Sequence, residues 1–100
     1  MISHQSIPIT SANANTKVVV MKKGGILHNI NILTTSAQAL TLYDDNSTSP
    51  ASAAQFGAIK ASVAEQTFRF KLALNKGLVV NVPSSYTGSA VIEYSELIGS

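Results

Sequence analysis

The sequence predicts an all-β fold: an antiparallel β-sandwich, jelly-roll-like, of seven to eight short strands. Three observations lead there. Apolar residues recur with a period of two in short runs. Clusters of Gly, Pro, Asn, Asp and Ser separate these runs at intervals of roughly 8 to 12 residues, the rhythm of a sandwich or jelly roll. No amphipathic stretch of helical period reaches a useful length. Two packed sheets need one apolar face per strand, and the alternation supplies it.

Residues 1–15 read as an N-terminal arm, and residues 16–100 as a single β-sandwich domain. In the arm, Ile7, Pro8 and Ile9 form the one apolar knot among Ser, Thr and Asn. The segment is either unpaired or lays a short strand at residues 7–10 on a sheet edge, where proline is tolerated. Thr16 to Met21 is β-branched and reads as a strand. Lys22-Lys23-Gly24-Gly25 then turns the chain, with two glycines free to take positive φ.

In the next strand, Ile26, His28, Ile30 and Ile32 share one face, and Leu27, Asn29, Asn31 and Leu33 the other. The isoleucine face is assigned to the core. Leu40 and Leu42 point inward in the following strand, with Thr41 and Tyr43 outward, and Asp44-Asp45-Asn46 ends it. Ser47 to Ala54 lacks the bulk to anchor a core and reads as a long mobile loop. Residues 56–63 fit either a short strand or a helical turn. Residues 66–74 alternate clearly: Phe68, Phe70, Leu72 and Leu74 are inward, and Thr67, Arg69, Lys71 and Ala73 outward. Asn75-Lys76-Gly77 is a tight connection with Gly77 in a left-handed conformation, leading to Leu78–Val82. The last strand, residues 90–95, alternates Ala90, Ile92 and Tyr94 with Val91 and Glu93.

One hundred residues without cysteine allow one domain with a real core, since such a chain buries roughly two-thirds of its unfolded surface. Disulfides, thiolate metal sites and a cysteine nucleophile are excluded, and two histidines are too few for a multi-histidine metal centre. Charged residues make up 12% of the chain, against about 25% in ordinary soluble domains. Thirteen Ser, eight Thr and seven Asn take their place. With a net charge of +2, repulsion between copies is weak, which favours an assembly component over a freely diffusing monomer. The cations are scattered, so nucleic acid is not expected as a partner. No apolar run approaches the roughly 20 residues that cross a bilayer, and the amino end carries no leader pattern. A soluble chain made in a cytoplasm, with no membrane partner, is expected.

Each chemical motif competes with a plainer reading. His28 has no second ligand or triad partner placed by spacing, and reads as a structural histidine. Asp44, Asp45 and Asn46 offer oxygens to a hard cation, but no further acidic residue follows within the next dozen that would complete a calcium loop apart from a turn role. No nucleophile elbow or phosphate loop is present, and Glu93 and Glu96 fall on opposite strand faces. No catalytic residue, cofactor or metal is therefore expected. Lys17, Tyr43, Arg69 and Lys71 are candidate partner contacts, because Arg and Tyr are enriched at interface hot spots. An outward cation equally serves as a solvated face or protects an edge. Ile7 and Ile9 are the candidate contacts of the arm.

The order Gly24-Gly25-Ile26-Leu27-His28-Asn29-Ile30, Leu40-Thr41-Leu42-Tyr43-Asp44, Phe68-Arg69-Phe70, Gly77-Leu78-Val79-Val80 and Ala90-Val91-Ile92-Glu93-Tyr94 resembles small all-β virion proteins of tailed bacteriophages, over residues 17–94. The resemblance implies a capsid decoration, or cement, protein. Such a subunit is commonly a homotrimer on the capsid exterior, bound to the major capsid protein across its junctions. It also implies an alternative, a tail or head-fibre accessory module that binds a host receptor or glycan. No functional residue transfers, because the shared positions are turn glycines and core apolars. The arm and the loop at residues 44–54 are the expected contact elements, the arm by adding a strand to a neighbouring sheet.

Overall fold

The computed structural model describes residues 2–50, 52–60 and 62–97. Met1 of the expected arm and Ala51 of the expected loop lie outside them. Eight strands are present: β1 (Ile2–Ile9), β2 (Thr16–Met21), β3 (Gly25–Thr34), β4 (Leu40–Tyr43), β5 (Gln55–Ile59), β6 (Thr67–Leu74), β7 (Leu78–Val82) and β8 (Ser89–Leu97). Two single 3-10 turns, Ser11–Asn13 and Ser52–Ala54, complete the regular structure.

The strands form two antiparallel four-stranded sheets, in the orders β1-β8-β3-β6 and β2-β7-β4-β5. Among the described residues, β4 and β5 are the only chain-consecutive strands that pair with each other. Every other connection carries the chain from one sheet to the other. One hydrophobic cluster draws on both sheets, as in a sandwich. Ile9, Leu27, Ile30, Ile92 and Tyr94 come from the first, and Met21, Leu40, Leu42, Leu78 and Val80 from the second. Fully burying an aliphatic side chain of this size contributes about 1.5 to 3 kcal/mol.

The arm is not free. β1 pairs along its whole length with β8, from Ile2 opposite Leu97 to Ile9 opposite Ala90, at the edge of the first sheet. Pro8 fits there because an edge strand leaves alternate N–H groups unused. Ile9 is 0% exposed, so it cannot be a partner contact. Its neighbour Ile7 is half-buried and packs against the core. After β1, Thr10 caps the first 3-10 turn: its Oγ1 accepts the Ala12 N–H at 3.2 Å, and Asn13 Oδ1 accepts the Thr10 N–H at 2.9 Å.

In β3 the alternation does not run straight. Leu27 lies opposite Tyr94 and Asn29 opposite Glu93, so His28 is an extra residue on its strand, a β-bulge. The bulge flips the faces. Leu27 is buried with Ile30 and Ile32, whereas Ile26, assigned to the core from its spacing, is half-buried on the outward side. Leu33 is 55% exposed beside a second irregularity. Gly24 and Gly25 do not take the positive φ expected of them. A side chain at Gly25 would put its Cβ 2.3 Å from the Ser95 carbonyl oxygen, so closeness to β8 requires glycine there. Gly77 does have a positive φ, +149°.

Of residues 56–63, the first four belong to strand β5, paired with β4 from Leu40–Ile59 to Tyr43–Gln55, and Ala61 lies outside the described residues. β4 keeps the expected alternation, with Leu40 and Leu42 buried. The loop before β5 is pinned at its base by the Asp44 N–H, which donates to the Ala54 carbonyl at 2.9 Å.

Candidate functional site

The residues singled out from the sequence do not converge. Ile7 and Ile9 lie on β1 and Arg69 and Lys71 on β6, at opposite edges of the first sheet. Lys17 and Tyr43 are on the second sheet, where β7 separates their strands. Lys17 is exposed opposite Asn81, and Tyr43 is half-buried opposite Val79 and Gln55. Arg69 and Lys71 are exposed neighbours on one edge strand, and Lys71 has φ +48° within an irregularity of the β3–β6 pairing. An edge strand carrying two cations and a bulge is the one coherent pair among the six.

The outward face of the first sheet carries a polar row that alternation alone does not reveal. Asn31 Nδ2 donates to Glu93 Oε2 at 2.7 Å, and Asn29 Nδ2 reaches the same oxygen at 3.4 Å. The Thr67 hydroxyl donates to Asn31 Oδ1 at 2.7 Å. The bulge turns His28 to this side, where its Nε2 lies 2.7 Å from Ser95 Oγ. Ser95 is 5% exposed. Its hydroxyl therefore offers no approach to an acyl group, and the pair ties β3 to β8. The row spans β6, β3 and β8, and its amide, carboxylate and hydroxyl groups lie across the sheet rather than in a cleft.

At one end of the sheets, two carboxylates clasp turns. Asp44 Oδ1 accepts the N–H groups of Lys76 at 2.9 Å and Gly77 at 3.4 Å, and Oδ2 accepts that of Asn75 at 3.2 Å. Glu96 Oε2 accepts the N–H groups of Lys22 at 2.6 Å and Lys23 at 3.1 Å. Each carboxylate satisfies backbone donors of a turn between strands of different sheets. The Asp44-Asp45-Asn46 turn thus spends its first carboxylate on the chain itself. Among the described residues, no group of three or more His, Asp or Glu is placed to hold a metal ion. No helix among them is long and apolar enough to cross a membrane.

The aromatic residues mark two further features. Burial raises the Tyr86 phenol above its usual value. Burial, and then the Glu96 charge, raise that of Tyr94, whose hydroxyl donates to Gln5 Oε1 at 2.9 Å. Phe56, Phe68 and Phe70 are each half-buried against the core, on β5 and β6, the terminal strands of the two sheets. An open groove of about 430 Å³ lies beside Phe56, lined by residues 53–56, Asn75, Lys76 and Asp44. The phenylalanines thus sit on terminal strands at the margin of the core rather than in its fully buried centre, a placement that follows from sheet order and has no signal in the strand patterns.

No protein-family model matches this chain, and no curated protein matches its sequence.

Proposed function

We propose that this chain is a structural protein of a bacteriophage virion, a capsid decoration (cement) protein that binds the outer head surface and stabilises contacts between major capsid proteins. The observation that carries the reading is the strand order. In β1-β8-β3-β6 and β2-β7-β4-β5, β1 pairs with β8, β2 with β7, β3 with β6 and β4 with β5. That pairing supports reading the sandwich as one long hairpin wound over itself, a jelly roll, an architecture recurrent in viral capsid and lectin domains.

The composition and surfaces support the same reading. With five acidic and seven basic residues the chain repels its neighbours weakly. Glu96 and Asp44 brace the turns that join the sheets, so the subunit docks as a rigid body. A decoration protein acts by mass action: binding energy available only when neighbouring capsid subunits are correctly placed stabilises that placement. Several linked copies multiply the effect. With β1 paired inside its own sheet, the contact elements are the loop at residues 44–54 and the outward sheet faces, not a free arm.

The polar row of Asn29, Asn31, Glu93 and Thr67 favours one second reading, a tail or head-fibre module that binds a glycan, since amide, carboxylate and hydroxyl groups match sugar hydroxyls. Co-sedimentation of the full chain with empty phage heads separates the two. Saturable pelleting at a fixed ratio to the major capsid protein is the expected result. A chain that stays in the supernatant yet binds immobilised host glycans belongs to the second reading.

A further inference from the structure

β6 ends the first sheet, with β3 on one side and no strand of the described residues on the other. The Ile32 N–H donates to the Gln66 carbonyl at 2.7 Å, and Phe68 lies opposite Ile30. Antiparallel bonding alternates, so Phe68 turns its backbone groups toward β3, and Thr67 and Arg69 turn theirs to the open side. The edge is also apolar. Phe68 and Phe70 are half-buried, and Leu72 further along the strand is 37% exposed. Unpaired backbone groups beside such side chains form a template for another strand.

We propose that β6 pairs with β6 of a second copy of this chain, antiparallel and centred on Phe68. The cations, together with the irregularity at Lys71 that interrupts any pairing centred on residues 72–74, select this register. Centring on Arg69 sets Arg69 against itself, centring on Phe70 sets Arg69 against Lys71, and centring on Lys71 sets Lys71 against itself. Directly opposed like charges destabilise each of these. Centring between two residues would oppose inward and outward side chains. Centring on Thr67 would pair only Thr67 with a residue of the strand, because Phe68, Arg69 and Phe70 would meet Gln66, Glu65 and Ala64, which precede it; centring on Phe68 pairs Thr67, Phe68 and Arg69 with strand residues.

Centring on Phe68 avoids all of this. The segment at residues 66–70 ends before the Lys71 irregularity and pairs with itself. Thr67 and Arg69 of one copy exchange N–H and C=O bonds with Arg69 and Thr67 of the other. Phe68 meets Phe68 on the inward face. At the margins, exposed Lys71 of each copy comes opposite exposed Glu65 of the other. The bulge and cations that guard this edge against other pairings leave this one open.

The contact is isologous, so it makes a two-fold pair. It is independent of what the chain docks against, and it differs from the three-fold arrangement the phage resemblance implies. A paired edge this short buries far less than the roughly 1,600 Å² of a standard interface, so the pair forms reversibly with concentration.

Sedimentation equilibrium of the full chain over a concentration series tests it. The mass is expected to rise from one chain to two. Glu65→Lys, an exposed change, should weaken association about tenfold by opposing like charges twice. Adding Lys71→Glu should restore it. Arg69→Pro removes an outward N–H that β3 does not use, and should abolish the pair while far-UV circular dichroism stays unchanged. A single-chain mass throughout, a three-chain mass, or a two-chain mass indifferent to Glu65→Lys or not restored by Lys71→Glu overturns the proposal.

Discussion

Asp44 holds Lys76 across the two sheets: the carboxylate at the end of β4 accepts the Lys76 N–H at 2.9 Å in the β6–β7 turn. Asn75 and Gly77 donate to the same carboxylate. The relationship joins the close of one strand to the crossing that returns the chain from the first sheet to the second. It explains how a turn of three residues stays fixed although no strand ladder runs through it.

Asp44→Ala should therefore destabilise the fold by about 1 to 3 kcal/mol, since the turn N–H groups lose a charged acceptor. Asp44→Asn keeps one acceptor oxygen and should lose about half as much. The urea midpoint measures both. Equal stability of Asp44→Ala and wild type would mean that water replaces the carboxylate without loss.

Gly77 tests the same corner through the backbone. At φ +149°, a Cβ would fall 2.2 Å from the Met21 carbonyl oxygen and 2.8 Å from that of Asp45. Gly77→Ala should cost more than about 2 kcal/mol or prevent folding, from backbone strain plus the clash. Gly57→Ala is the control, because nothing lies within 4 Å of its Cβ position. It should leave the melting temperature unchanged or slightly raised.

Ile92 is 0% exposed in the shared core, opposite Ile30 on one side and Ile7 on the other. Ile92→Ala should lower stability by about 2 to 5 kcal/mol through lost burial and the cavity left behind. Ile92→Val should cost about 0.5 to 1.5 kcal/mol. Denaturant unfolding with an unchanged slope would place the loss in the folded state; similar small losses for both would contradict tight packing around Ile92.

Alkali should unfold the protein in part through Tyr86. In the unfolded chain its phenol loses a proton near pH 10, whereas burial holds the folded value higher. Below about pH 10 both states keep the proton and the group contributes no pH dependence. Above it the unfolded state releases the proton first, so stability falls as pH rises through that window. Urea midpoints at about pH 9 and about pH 11 should differ for the wild type, and by less for Tyr86→Phe. Tyr94 acts with the same sign, so some slope should persist. A Tyr86→Phe variant with the full wild-type slope would assign the effect elsewhere.

Arg69 and Lys71 were legible as outward-facing because β6 alternates regularly up to them. The row that joins Glu93 to Asn29 and Asn31 was not, because its members come from strands far apart in sequence and meet through the bulge at His28. Likewise Ile9, next to proline and hydroxyl residues, has the sequence surroundings of a loose arm, yet β8 covers it.

The sequence by itself determined most of the strands, β1 and β5 excepted: period two in β4, β6 and β8, and Gly77 in a turn that no other residue would fit without strain. These are local matters of side-chain direction and backbone sterics, and neighbours along the chain decide them. Only the tertiary structure decided that β1 lies beside β8, that Leu27 rather than Ile26 enters the core, and that all three phenylalanines sit on the terminal strands β5 and β6. Those outcomes depend on pairing between distant strands, where one extra residue reverses every side chain beyond it.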